Sequence, residues 1–294
     1  MGDRVLGECR GARPGPTVVA VGAIHGNEPA GVAALTRVVA ELGPSGLARG
    51  RLVALVGNLG ALAMGQRGRA GDLNRRWTST HIAALHAQPL AQDDAEDGEQ
   101  RALLAILEPI LQAGPVVLVD LHTTSAGGPP FTLGLDTPAT RRLARLLPFP
   151  LVLGLLESVA GTIVEWAALP GHAALALEAG QHLDPQAETL HRAAVWALLA
   201  ALGCVGAVPA DVTTALAGVP SLPPVVRLAC RHPVHDADGF VMQPGFVGFE
   251  PVRRGDLLAH DVRGPIYAPL DGALLMPLYQ AHGSDGFFIV QPVP

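Results

Sequence analysis

The chain has 294 residues, 49% of them apolar and 16% charged, with a formal net charge of −6. That length suits about two domains, or one large one, at ~150 residues per domain, and leaves ample material for a buried core. The negative balance and the lack of a basic block argue against a nucleic-acid surface. All twenty basic residues are Arg, which removes Schiff-base lysine chemistry and a Walker-type phosphate lysine. Cys9, Cys204 and Cys230 stand far apart and read as packing residues, neither a zinc cluster nor a disulfide framework. Polar sequence follows Met1-Gly2-Asp3-Arg4 and no membrane-length apolar span occurs, so a soluble cytoplasmic protein is predicted, with no membrane partner.

Residues 17–24 form an apolar run that reads as a buried strand, and it stops at His25-Gly26-Asn27-Glu28. His-x-x-Glu at a backbone turn brings an imidazole and a carboxylate together, a common opening to a metal site, although the pair also occurs in ordinary cores. A helical pattern over 29–42 follows, with Pro29 in its first turn and Asn27 as the expected cap. After a strand over 51–56 comes the stretch Arg67-Gly68-Arg69-Ala70-Gly71-Asp72-Leu73-Asn74-Arg75-Arg76-Trp77. Guanidiniums among glycines suit an anion-binding loop, because their fork matches a carboxylate; a solvated loop has the same composition. Asp93-Asp94-Ala95-Glu96-Asp97 reads as an exposed loop leading into a helix over 100–113.

A second apolar strand, over 115–121, again ends at a histidine, His122, and Asp120 on the same strand face is placed to orient a ligand. Parallel strands deliver their C-terminal ends to one crevice, so His25, Glu28 and His122 can converge there. Two His and one carboxylate leave a fourth position open, as in catalytic rather than structural zinc sites. Helices over 138–147 and 162–169 flank a strand over 150–155. The strand over 173–177 ends at Glu178, which is either a salt-bridged strand end or a base that moves a proton from water to a leaving nitrogen. A helix over 185–202 completes an α/β pattern, a mainly parallel or mixed doubly wound sheet. Past Val208 prolines punctuate short apolar runs and helical periodicity disappears, which predicts a small C-terminal all-β domain. The boundary falls near 210–222, giving an α/β domain over 1–215 and a β domain over 216–294.

His25-Gly26-Asn27-Glu28, Asp72-Leu73-Asn74-Arg75, Asp120-Leu121-His122-Thr123-Thr124 and Glu178-Ala179-Gly180, in that order, resemble the succinylglutamate desuccinylase/aspartoacylase family. These are zinc-dependent deacylases related to the zinc carboxypeptidases. The resemblance runs from about Val18 to Val290 and includes Gln243-Pro244-Gly245-Phe246 and Ile266-Tyr267-Ala268-Pro269-Leu270-Asp271-Gly272. It implies a sheet of zinc carboxypeptidase type and one Zn2+ per chain, held by His25, Glu28 and His122. It further implies Glu178 as general base and acid, Arg67 as the group polarising the scissile carbonyl, and Asn74 and Arg75 as a grip on a substrate carboxylate. The C-terminal β domain would cap the crevice. In one respect the chain departs from the aspartoacylases: residues 161–168 lack the Tyr and Arg that precede their catalytic Glu, and neither Tyr267 nor Tyr279 matches their late active-site Tyr. N-acetylaspartate is therefore not the expected substrate. The expected activity is hydrolysis of an N-acyl amide bond in a small amino-acid-like substrate. The alternatives are a carboxypeptidase-like peptidase and a catalytically silent binding protein on the same fold. The oligomeric state stays open, a homo-oligomer included.

Overall fold

The computed structural model describes residues 3–43, 46–281 and 283–293. Its first half runs β1 (Val5–Arg10), β2 (Arg13–Gly22), α1 (Ala30–Leu42), β3 (Arg49–Val56), α2 (Leu59–Met64), α3 (Ser79–Ala87), α4 (Ala95–Gln112) and β4 (Val116–Thr124). There follow β5 (Phe131–Leu133), α5 (Pro138–Ala144), β6 (Leu151–Leu153), α6 (Leu155–Ser158), α7 (Ile163–Ala168), β7 (Ala173–Gln181), α8 (Pro185–Ala201) and α9 (Ala210–Ala217). The C-terminal region holds β8 (Val225–Pro233), β9 (Val241–Met242), β10 (Pro251–Val252), β11 (Leu257–Asp261), β12 (Gly264–Tyr267), β13 (Gly272–Leu275) and β14 (Asp285–Pro292).

The fold is α/β around a large mixed sheet ordered β1-β3-β2-β4-β7-β5-β6-β8-β14-β13-β10. Side chains alternate across a strand, and β2 shows the consequence. Val19 and Val21 enter one apolar layer with Leu103, Leu104 and Leu107 of α4. Val18 and Ala20 enter the other with Leu35 and Val38 of α1. Helices therefore cover both faces, which is why the central strands are continuously apolar. β2, β3, β4 and β7 are mutually parallel where they pair, so their C-terminal ends open on one side. β2 and β4 are neighbours, with Gly22 opposite Leu121, and β7 lies beyond β4, with His122 opposite Glu178.

From β8 onward the chain is mostly β. β8 pairs in parallel with β6, so β8, β14, β13 and β10 prolong the large sheet, while β12, β11 and β9 form a second one. Leu258, Ala259, Phe287 and Ile289 make the apolar cluster of this region. Among the described residues no helix is long and apolar enough to cross a membrane.

Several local expectations shift. Apolar runs alone miss β5, with its three residues, and the half-exposed edge strand β1. The expected strand over 150–155 stops at β6, because Gly154 turns left-handed (φ 83°) to start α6. α9 lies where no helix was expected; Val212 is its one buried residue, so its apolar stripe is weak. Pro29, not Asn27, stands at the cap of α1, without a capping side chain.

Candidate active site

His25 and Glu28 leave β2 through a tight turn. Ala23, fully buried, adopts a left-handed backbone (φ 55°), a costly conformation for a residue with a Cβ and one typical of functional sites. Gly26 is required by packing: a Cβ there would lie 2.1 Å from the backbone of Ala61 in α2. The turn lets Glu28 face two imidazoles at once. Its Oε1 lies 2.9 Å from His25 Nδ1 and its Oε2 lies 3.0 Å from His122 Nδ1. The backbone N–H of Thr123 donates to the same Oε2 at 3.0 Å. One donor atom from each of His25, Glu28 and His122 falls within 4.8 Å of the others. The outer nitrogens are tied down, His25 Nε2 donating to Asp72 Oδ1 (3.1 Å) and His122 Nε2 to Asp120 Oδ2 (2.6 Å). Each imidazole thus presents Nδ1 inward while a carboxylate fixes its ring, the support usual for metal-binding histidines.

The charges around these rings are unequal. Burial pushes the Glu28 carboxyl upward, yet His25 and His122 outweigh it and hold it well below the ordinary range. Burial also disfavours a charged His122, but the Asp120 and Glu28 carboxylates raise it well above its usual value. Asp72 is half-buried, which raises its carboxyl, but His25 and Arg67 outweigh this and hold it far below the usual carboxylate range. A buried group of carboxylates with two inward imidazole nitrogens is a donor set that fits a small divalent cation.

Glu178 stands across the β4–β7 pair from His122. It is 4% exposed, and its Oε2 has no hydrogen-bond partner among the described residues. The salt-bridged strand end that sequence left open is thus not what is found. Burial, with Glu28 and Asp120 adding to it against His122 and Arg67, pushes its carboxyl up to about 8.

The Arg-rich loop rests on the acidic stretch expected to be exposed. Asp94 caps α4, with Asp97 closing a capping box, and Glu96 is fully buried. Glu96 accepts the backbone N–H groups of Arg69 and Ala70, both at 2.6 Å, and the Asn58 side-chain amide at 3.3 Å. Backbone donors needing an acceptor, not solvent, explain this run of acids. Arg76 is spent on Asp94 and Asp97, each at 2.7 Å. Arg67 grips Asp72 through Nε (3.2 Å) and Nη2 (2.9 Å), with Nη1 3.7 Å from Glu28. Asn74 is buried, donating toward Asp120 (3.4 Å) and accepting the Ile163 N–H (2.9 Å). Arg75 hydrogen-bonds the Asn74 carbonyl at 2.8 Å.

All seven singled-out residues, His25, Glu28, Arg67, Asn74, Arg75, His122 and Glu178, line one cavity of about 120 Å³. Sequence reasoning missed several of its polar residues, among them a connected set of three. Thr123 Oγ1 lies 2.8 Å from His182 Nδ1, and His182 Nε2 lies 3.1 Å from Gln280 Oε1. His182 follows Glu178 by four residues, which was a usable signal; Gln280 comes from the far end of the chain and offered none. The C-terminal region also contributes Met276, Leu278, Asp285 and Phe288 to the walls.

Fold and site together define an α/β protein with a crevice at the ends of parallel strands, where a His/Glu/His group able to hold a metal ion sits beside a buried glutamate unpaired among the described residues. The model of the succinylglutamate desuccinylase/aspartoacylase catalytic domain matches residues 14–201, and the chain belongs to that family, whose members are hydrolytic deacylases. Solved structures share the fold at low identity. A succinylglutamate desuccinylase/aspartoacylase from Rhodobacter sphaeroides is 19% identical with a TM-score of 0.72, over 97% of this chain and 88% of that one. The ectoine utilization protein EutE (DoeB) from Ruegeria pomeroyi is 19% identical with a TM-score of 0.69, over 96% and 86%. Murine aminoacylase 3 is 20% identical with a TM-score of 0.68, over 95% and 96%. No curated protein matches the chain by sequence.

Proposed function

We propose that the chain is a zinc-dependent deacylase that hydrolyses the N-acyl amide bond of a small amino-acid-like substrate. The observation that carries this reading is Glu178, buried and unpaired beside the inward-facing His25, Glu28 and His122. Those three residues would hold the ion, which when bound supplies Lewis acidity to a carbonyl and to water. Glu178 then takes a proton from the attacking water and returns it to the departing nitrogen. Arg67, anchored by Asp72 and turned toward Glu28, donates to the carbonyl oxygen as negative charge develops there. Arg75 binds the substrate carboxylate, and Asn74 holds both the Asp120–His122 pair and the start of α7 in place.

A small cavity walled in part by Met276, Leu278, Asp285 and Phe288 supports a small substrate over a polypeptide, with the C-terminal β region as the cap. Metal analysis after zinc loading, paired with turnover of an N-acyl amino-acid panel, tests the reading. About one zinc per chain with amide hydrolysis is expected. A protein that binds no zinc, or binds it and cleaves no N-acyl amide, overturns the proposal.

A further inference from the structure

We propose that the substrate carries one carboxylate and one apolar group: a monocarboxylic N-acyl amino acid whose acyl chain or side chain is hydrophobic. This rests on the deacylase reading and names the substrate class for that site.

Charge sets the first limit. Among the described residues lining the cavity, the guanidiniums are Arg67 and Arg75. Arg67 is bidentate on Asp72. Arg75 gives one N–H to the Asn74 carbonyl and makes no ion pair with a described carboxylate, so its fork is available for one substrate carboxylate. Arg231, close by, is spent on Asp285 at 2.6 Å and on the Ser158 carbonyl. Asp285 itself lines the cavity, and its pairing with Arg231 leaves no free positive charge there for a second carboxylate.

The walls set the second limit. In register, Leu133 of β5 lies opposite Ala176 of β7, which stands two residues before Glu178 on the same face. An apolar surface therefore begins beside Glu178 and extends away from β2 and β4. Leu156 and Val164, both buried, continue it, and Met276, Leu278 and Phe288 complete it from the C-terminal region. A second carboxylate placed there loses its water with no cation to receive it. A hydrocarbon group instead gains about fourfold in affinity per buried methylene. The segment that lacks the aspartoacylase Tyr and Arg supplies Val164 to this wall and Thr162 to the cavity, and neither offers a charge to a second carboxylate.

The test compares N-acetyl-L-leucine and N-hexanoylglycine, which place the apolar group on the side chain or the acyl half, with N-acetyl-L-aspartate and N-succinyl-L-glutamate. With zinc-loaded protein, kcat/KM for at least one of the first pair should exceed both dicarboxylates by 100-fold or more, and the better of the pair identifies the half that is apolar. Calorimetric binding of the same compounds to Glu178→Gln should follow the same order without turnover. Hydrolysis favouring the dicarboxylates keeps the deacylase reading and overturns this inference, and tighter binding of the dicarboxylates by Glu178→Gln overturns this inference as well. Apolar preference in binding with no hydrolysis by the wild type overturns the deacylase reading and supports the pocket assignment, whereas no binding by any compound overturns both. Leu278→Arg, at a half-buried loop position, should raise affinity for the dicarboxylates at least tenfold; unchanged affinity from a folded variant overturns the placement of the wall.

Discussion

A carboxyl that is 4% exposed and without a hydrogen-bond partner among the described residues, as in Glu178, costs the fold stability, and costs it most once ionised. In the metal-free protein its proton is held up to about 8, whereas the unfolded chain releases it near 4.5. Between those values the folded state binds a proton that the unfolded state does not, so stability falls as pH rises through that window. Glu178→Gln removes this loss. The melting temperature of the metal-free variant should exceed that of the wild type by several degrees at pH 8 and by much less at pH 5; an equal difference at both values contradicts the assignment. The same substitution should lower kcat on the order of 10²–10⁴-fold while zinc content stays unchanged. Asp120 acts through His122, whose Nε2 it fixes at 2.6 Å. Asp120→Asn is expected to weaken zinc binding by about 10–100-fold, measured by competition with a chromophoric chelator. Because Asp120 is a buried strand residue, the circular dichroism spectrum should confirm that the variant folds.

At the level of elements, the site depends on backbone packing that no ligand residue provides. The turn after β2 touches α2 so closely that Gly26→Ala must displace one or the other. That variant should lose several degrees of thermal stability and bind zinc more weakly, because Glu28 and His25 move with the turn. Wild-type zinc affinity in a folded Gly26→Ala protein would show that the contact does not position the ligands. α4 has a comparable role through Glu96, whose two oxygens hold the backbone of the loop carrying Arg67. Glu96→Gln replaces one acceptor oxygen with a donor, leaving a backbone N–H unsatisfied at a cost of about 1–3 kcal/mol. A fall of roughly tenfold in kcat/KM, the factor set by ~1.4 kcal/mol of lost transition-state stabilisation, should accompany it. Unaltered kinetics would separate the loop anchor from Arg67.

For the whole molecule, the proposed ligands lie in the turn after β2 and at the end of β4, strands the fold makes neighbours, so the proposed cation binding would be linked to folding. Zinc at a hundredfold excess over its dissociation constant adds about 2.7 kcal/mol, a rise on the order of 5–10 °C in melting temperature. A chelator should reverse it, and a melting temperature indifferent to zinc would remove the metal site from the fold. The alternating α/β pattern and the polar residues at apolar strand ends are legible in residue order alone. Burial between two helical layers forces uninterrupted apolar runs, and those runs can be read without coordinates. His25, Glu28, His122 and Glu178 were legible for that reason. β5 and the weakly amphipathic α9 were not, because three residues or a single buried side chain leave no periodic signal, and neither were the buried acids at the start of α4, whose partners lie in an earlier loop. Long-range packing, by contrast, sets Glu96 under the arginine loop, joins β8 and β14 to the large sheet, and brings Gln280 and Leu278 to the cavity. Strand order and long-range contact are set by how whole surfaces pack, and local periodicity carries no record of which distant surface fills the space.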